Sequence, residues 1–433
     1  MPRTVTSSTS RRAPRAADAL APLVQAVLGD RLPVRVQFWD GSHLGPDDGP
    51  ATIVLRTPDA VRRIVYSPNE VGFGRAFILG EADIEGDAIA ALRSIVQEAP
   101  DDLRIGVRTL ASTLAAGARL GVIGRPLPRP AEEARLRGGR HSKERDAAAI
   151  AHHYDVGNDF YRLVLGESMT YSCARFADPG DLLETAQAAK YDLICRKLGL
   201  GRGKRLLDVG CGWGGMAMHA AAHFDATAVG ITVSTQQHEL ARKRVAEAGL
   251  EDRVEIRLQD YRDLAAGTDR FDAISSIGMF EHVGRVAMAA YFKVLAGVLE
   301  PGGRFVNHAI STPDGAVFDR HSFSARYVFP DGELEDVAAV AAAMQSVELE
   351  VRDVESLREH YPLTLRRWVD NLRAHWDEAV GLVGEVRARI WYLYMLGAII
   401  SFELNIIAVH QVLAIKPYPD GTSGMPLTRA GMV

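Results

Sequence analysis

Short apolar runs alternate with longer stretches of mixed polarity through the middle of the chain. Residues 206–210 (LLDVG), 226–233, 254–258, 271–277 and 303–310 are apolar and rich in β-branched side chains, and each stops at a glycine or a polar cluster. That pattern predicts five short buried strands. Helical stretches lie between them: one begins near Met216, one at Ser234-Thr235-Gln236-Gln237, and one closes at the turn Pro301-Gly302-Gly303. Strands alternating with helices predict an α/β fold with a parallel sheet, whose ligand sits outside the carboxyl ends of the strands.

The flanks read differently. Residues 19–28 predict a short amphipathic helix, 34–39 and 52–56 alternate as strands around the turn-rich 40–50, 58–66 and 87–97 read as helices, and 72–80 reads as a glycine-broken connection. This predicts a small α+β domain over 18–123. A tail at 1–17, rich in Ser, Thr, Arg and Ala, is expected to be disordered. Its Arg3, Arg11, Arg12 and Arg15 give contact with anionic lipid as the alternative. The apolar stretch 111–123 is too short to span a bilayer, and 124–146, with its prolines and basic excess, reads as a linker. After the central sheet, 333–344 predicts a helix, 347–353 an added edge strand, and a helix opens at His360-Tyr361-Pro362 and runs through Trp368 and Trp376. Residues 390–415 are strongly apolar but interrupted by Glu403, Asn405, His410 and Gln411, which predicts a buried helix rather than a membrane span. Residues 417–433 read as a tail.

Composition narrows the function. At 433 residues two or three units are expected, and a net charge of −5 argues against wholesale nucleic-acid binding. The three cysteines, Cys173, Cys195 and Cys211, have no zinc-like spacing and cannot all pair, which suits a reducing cytosol. No apolar run accompanies the N-terminal arginines, so a secretory signal is not expected and a cytoplasmic location is.

The chemistry concentrates at 204–215, KRLLDVGCGWGG. Gly210, Gly212, Gly214 and Gly215 form a turn in which missing Cβ atoms let backbone approach a ligand, at the N-terminus of the following helix. S-adenosylmethionine (SAM) fits this cleft better than a dinucleotide, which wants GxGxxG and an acid after the second strand, where this chain reads Thr232-Val233-Ser234. Asp260, after the third strand, is placed to meet an adenine amino group. His152 and His153 are adjacent, so on a helix they point about 100° apart and no shared metal ion is expected.

Taken in order, HHYDVGNDFY, MTYSC, LLDVGCGWGG, GITVSTQQ, MFEHVG, NHAI and HYPLTLRRW closely resemble the cyclopropane-fatty-acid synthase family, which includes the mycolic-acid cyclopropane synthases and related lipid methyltransferases. The resemblance covers residues 146 to about 416, and GRAFILGEADIEGD looks like that family's lipid-domain signature. It implies a class I SAM-dependent methyltransferase domain over 147–416, a smaller N-terminal lipid-associated domain, and C-terminal helices lining an apolar tunnel. The implied reaction places the sulfonium methyl of SAM on an alkene and removes a proton from the resulting cation with the help of a bound bicarbonate. The positions that match the bicarbonate site are Cys173, Glu281, His308, the backbone of Ile310, and Tyr361. The Cys173 thiol, His308 and the Tyr361 hydroxyl are expected to donate to the anion, with Glu281 orienting a proton on it. The positions that match SAM contacts are Tyr171, Ser172, Asp208, Gly210, Gly212, Thr232, Gln237 and Tyr261. Arg262 stands where relatives often have an acid.

Taken singly, Cys173 reads as a buried thiol, Glu281-His282 as a helix-start pair, His308 as a core histidine and Tyr361 as a packing aromatic. Their co-occurrence gives the functional reading, and His282 keeps the structural one. The resemblance further implies an unsaturated membrane phospholipid as substrate, peripheral and reversible contact with the inner face of the membrane, and room for a homodimer. Loss of a proton from the new methyl would close a cyclopropane. The alternative is a methylene or methyl branch, in which the cation is discharged without ring closure and leaves a double bond needing a separate reductase, and the unusual SFSARYVFPDGELED brings it in. A non-catalytic lipid-binding protein and a small-molecule or RNA methyltransferase are the remaining classes. The presence of Cys173, Glu281, His308 and Tyr361 speaks against the first, and the acidic charge and apolar C-terminus against the second.

Overall fold

The computed structural model describes residues 15–98, 117–118, 120–134, 145, 156–313, 319 and 321–432. It divides into two compact units, Met1–Ala131 and Glu132–Val433. His152 and His153, residues 1–14 of the expected tail, and most of the apolar stretch 111–123 lie outside the described residues.

In the first unit β1 (Arg35–Gln37), β2 (His43–Leu44), β3 (Ala51–Leu55) and β4 (Ala82–Gly86) form a sheet in the order β2-β1-β3-β4. The helices Ala16–Leu28, Pro58–Tyr66, Glu70–Ile78 and Ala88–Glu98 bury Leu20, Val61, Ala76 and Ala91 against Val36, Ile53 and Leu55. Two expectations are corrected. The first helix begins at Ala16, inside the expected tail, because Asp40 and Ser42 accept the backbone N–H groups of Ala16 and Ala17 at 2.7 and 2.9 Å. Residues 72–80 are mostly helix rather than a broken connection. Asn69 caps that helix through Val71 N, and Gly72 lets it abut the preceding one, since a Cβ there would lie 2.1 Å from the Ser67 carbonyl.

The second unit is built on a seven-stranded sheet. Its strands are β5 (Arg205–Val209), β6 (Thr227–Thr232), β7 (Val254–Leu258), β8 (Phe271–Ile277), β9 (Leu299–Ser311), β10 (Glu350–Ser356) and β11 (Ala408–Ile415), in the order β10-β11-β9-β8-β5-β6-β7. Neighbours from β9 through β7 pair in parallel, as expected. Leu207, Val209, Ile274 and Phe305 pack on one side of the sheet with Phe292 and Leu295, and Leu206, Ala228 and Val306 on the other with Ile194, Met216 and Ala220.

The C-terminal half departs from the sequence reading in two places. The predicted single helix from 360 through Trp376 is two, His360–Ala374 and Trp376–Val383, broken at His375. The predicted helix over 390–415 stops at Glu403, and 408–415 is β11, inserted antiparallel between β9 and β10. Asn405 makes the break: its φ of 57° is left-handed, which asparagine tolerates better than other non-glycine residues. A β-branched replacement there, Asn405→Val, is expected to cost about 1–2 kcal/mol, read as a lower denaturation midpoint, while Asn405→Gly stays near wild type. The expected C-terminal tail folds back on this unit, where Met432 is buried and Arg429 pairs with Asp353. Glu133, within the expected linker, is buried in the same unit and accepts from Arg326 at 2.7 Å.

Candidate active site

At the carboxyl ends of β5, β6 and β8 lies a cavity of ≈310 Å³, a size suited to a small-molecule ligand. Tyr171, Ser172, Asp208, Gly210, Gly212, Thr232, Gln237, Asp260 and Tyr261 all line it. The glycine turn follows β5: Gly210 and Gly212 have φ of 73° and 54°, and a Cβ on Gly210 would lie 2.9 Å from Met279 Cβ. Asp208 is buried beside the turn and accepts from Ser275 Oγ at 2.7 Å; burial pushes its carboxyl up to about 6, against the pull of Ser275 and Lys190.

The Tyr171-Ser172 wall is held from below by the helix Leu183–Leu198. Gln187 Nε2 donates to the Ser172 carbonyl at 3.0 Å, Lys190 Nζ donates to Ser172 Oγ at 2.8 Å, and Tyr191 shares a hydrogen bond with Thr170. Burial brings Lys190 down to about 7. On the opposite wall Thr232 Oγ1 donates to Gln237 Oε1 at 2.8 Å, which ties the end of β6 to the helix Thr235–Glu247. Asp260, also in the lining, is held in place by its neighbour: Arg262 donates to it through N, Nε and Nη2 at 2.6–2.8 Å, and the guanidinium lies 5.4 Å over the Tyr261 ring.

Of the five residues matched to an anion site, His308 and Ile310 lie at the end of β9 with Glu281 hydrogen-bonded there, and none of the five is in the lining of that cavity. β8 ends at Ile277, and Glu281, on the following turn, supplies Oε1 as acceptor for Ile310 N at 2.8 Å. The carboxylate thus takes the ladder bond that a longer β8 would have made. The Ile310 N–H is therefore spent on Glu281 and does not face a ligand, a correction to the expected role. Cys173 is corrected likewise, because its Sγ already faces the Ala174 and Leu357 carbonyls at 3.3 and 3.7 Å and its single proton is engaged there. Tyr361 opens the helix His360–Ala374 with its ring stacked on Phe402, 4.3 Å between centroids.

Among the five residues matched to the anion site, two carry a buried side-chain atom with no hydrogen-bond partner among the described residues, Glu281 Oε2 and His308 Nε2. Such groups are costly unless a ligand completes them. Burial raises Glu281 to about 7. Burial, with the charges of Lys190 and Lys197 added, drives His308 well below its ordinary value and keeps it neutral.

Sequence reasoning missed Trp213, Met279 and His282 in the cavity lining. His282, read as structural, lines the cavity, and burial lowers it to about 4. It also missed Gln187, Lys190 and Lys197, all fully buried. Their spacing carried a signal: positions 187, 190 and 197 fall on one face of a helix whose other buried residues are apolar.

This sheet, with its glycine turn and carboxyl-end cavity, is the Rossmann-like domain of a SAM-dependent methyltransferase. The solved mycolic acid cyclopropane synthase CmaA1 "complexed with SAH and CTAB" is 32% identical, covers 62% of this chain and 97% of its own, and superposes with a TM-score of 0.58. Residues 141–412 match the family described as mycolic acid cyclopropane synthetase, and the chain belongs to that family. It is 41% identical to the "Probable fatty acid methyltransferase" of Pseudomonas putida over 95% of this chain and 99% of that one. It is 33% identical to the cyclopropane-fatty-acyl-phospholipid synthase of Escherichia coli K12 over 86% of this chain and 90% of that one.

Proposed function

We propose that the protein transfers one carbon from SAM to the cis double bond of an unsaturated phospholipid acyl chain, giving a cyclopropane fatty acid. The observation that carries this reading is the pair of buried, unsatisfied groups beside the glycine-turn cavity, Glu281 Oε2 and His308 Nε2, one able to accept and one able to donate. The eight cavity-lining residues matched to SAM fit that molecule, because the turn is stripped of Cβ atoms where a ligand would lie. SAM supplies an electrophilic methyl group, and bicarbonate, where bound, supplies a base that can be held beside a carbocation.

The chain's own work is positioning and proton control. Ile310 N–H fixes one oxygen of Glu281, which leaves Oε2 without a partner and able to accept a proton that a bound anion would carry. His308, neutral and buried, donates through Nε2. Tyr361, its ring fixed against Phe402, is a further residue matched to that site. Tyr171, Phe329, Trp368, Trp391 and Tyr394 form a continuous aromatic cluster that excludes water from this region. The first unit and peripheral membrane contact would bring the enzyme to its phospholipid. Among the described residues no helix is long and apolar enough to cross a membrane.

A second reading is a methylated or methylene-branched product, reduced by a separate partner. The higher identity to the fatty acid methyltransferase favours it. Methyl-deuterated SAM, oleoyl-phospholipid vesicles and bicarbonate, followed by mass spectrometry of the fatty acid methyl esters, separate the two. Two deuteriums retained in a saturated ring product mean cyclopropanation. Two retained in an exocyclic CD₂, or three in a methyl branch beside a migrated double bond, mean branching. No labelled lipid despite SAM binding would overturn both.

A further inference from the structure

His308 lies on β9 directly opposite Gln411 on β11, and Gln411 Nε2 is 3.2 Å from His308 Nδ1. On its other side Gln411 Oε1 accepts from Lys197 Nζ at 2.9 Å. Lys197 in turn is 2.5 Å from Glu355 and 3.5 Å from Asp353, two carboxylates of β10. All three of Lys197, Gln411 and His308 are buried.

The donors and acceptors in this line have only one consistent order. An ammonium has hydrogens and no lone pair, so the Gln411 atom facing it must be the carbonyl oxygen. The amide NH₂ is then on the His308 side and can only donate. A neutral imidazole that accepts at Nδ1 carries its proton on Nε2. We infer that Gln411, its amide oriented by Lys197 and the β10 carboxylates, is a positioning residue that fixes His308 as the Nε2–H tautomer and so makes it a donor, not an acceptor, toward the anion site. The inference rests on the proposed role of His308 beside a bound anion. It adds the reason for a buried lysine beside two acids outside the cavity lining: they set which nitrogen holds one proton.

The sequence position of these residues shows why the arrangement is exact in its polarity. Reversing the amide would place NH₂ against an ammonium and a carbonyl against Nδ1, and His308 would then present a bare lone pair to an anion, a repulsive contact. Burial lowers Lys197 from its ordinary value, and the Glu355 carboxylate hydrogen-bonded to it pulls the other way.

Histidine-selective ¹⁵N labelling of the full-length protein tests this, with the His308 signals assigned by their loss in His308→Gln. The expected spectrum has an unprotonated, pyridine-type Nδ1 and a protonated Nε2. Gln411→Glu, nearly isosteric, places a carboxylate against Nδ1 while keeping a partner for Lys197. It is expected to move the proton to Nδ1 or to add a second one there, and to raise the bicarbonate concentration needed for half-maximal turnover by about tenfold, as for the loss of one hydrogen bond. SAM affinity should stay within about twofold. Gln411→Met, which removes the donor without adding a charge, should give a mixed tautomer and an intermediate effect. A wild-type spectrum with the proton on Nδ1, or Gln411→Glu with wild-type signals and bicarbonate response, overturns the inference. A wild-type Nε2–H spectrum that shifts in Gln411→Glu, together with turnover indifferent to bicarbonate, supports the positioning role and overturns instead the reading of His308 as an anion donor.

Discussion

Glu281→Gln lowers turnover by about 10²–10⁴-fold, the usual contribution of a positioned proton acceptor, and leaves SAM affinity near that of wild type. Glutamine keeps the shape and still offers a carbonyl oxygen to Ile310 N, so the turn after β8 is retained. What it loses is the second oxygen as a charged acceptor. Because burial raises Glu281 to about 7, the carboxylate is formed only as pH climbs through that value. Wild-type turnover is therefore expected to rise with pH across neutrality, and the residual activity of the variant is expected to lack that limb. The same group has a signature in stability. Its folded-state value lies above the ordinary 4.5, so the folded chain holds this proton more tightly than the unfolded one. The stability it lends is present below about 4.5 and is lost as pH rises toward about 7. Glu281→Gln should not show this decline. Full activity in the variant, measured by labelled product formation across pH 6–8 (a range bracketing the value above), would overturn the assignment.

The second large effect is at the glycine turn. Gly212→Val is expected to weaken SAM binding by about 100-fold, or about 2.7 kcal/mol, as measured by titration calorimetry. The φ of 54° lies in the left-handed region, where a β-branched residue costs the fold about 1–2 kcal/mol, with or without SAM bound. No protein atom lies within 4 Å of a Cβ built there, so the new side chain projects into the cavity that Gly212 lines rather than into packed protein. Folding should suffer less than binding, since the added methyl groups meet no protein wall. Unchanged SAM affinity would remove Gly212 from the site.

Four of the parallel strands, β5 to β8, were legible to within a residue, whereas β9 begins at Leu299 and runs through the helix-ending turn expected at 301–303. The predicted strands 254–258 and 271–277 coincide with β7 and β8. Buried parallel strands are apolar along their length and stop at glycine or polar residues, so their ends are written locally. β11 was not legible in that way. Its apolar run continues that of the helix Glu385–Glu403, and only the left-handed Asn405 separates them. The cavity lining could be read because glycines, a strand-end acid and a capped helix start are local signals. The role of Ile310 could not, because the partner of its N–H depends on where β8 ends, not on the residues beside it. Gln411 and His308 are 103 positions apart and meet only through strand order, so no spacing rule joins them.

The reversed strand also bears on how the molecule is made. β9 and β10 both precede β11 in the chain, yet neither pairs with the other; each needs β11 between them. A nascent chain that has not yet released residues 408–415 presents two unpaired strand edges, and open edges invite pairing with other chains. Gln411 arrives with that same last strand, so synthesis from the N-terminus completes the sheet, covers its sticky edges and sets the His308 proton in a single closing event.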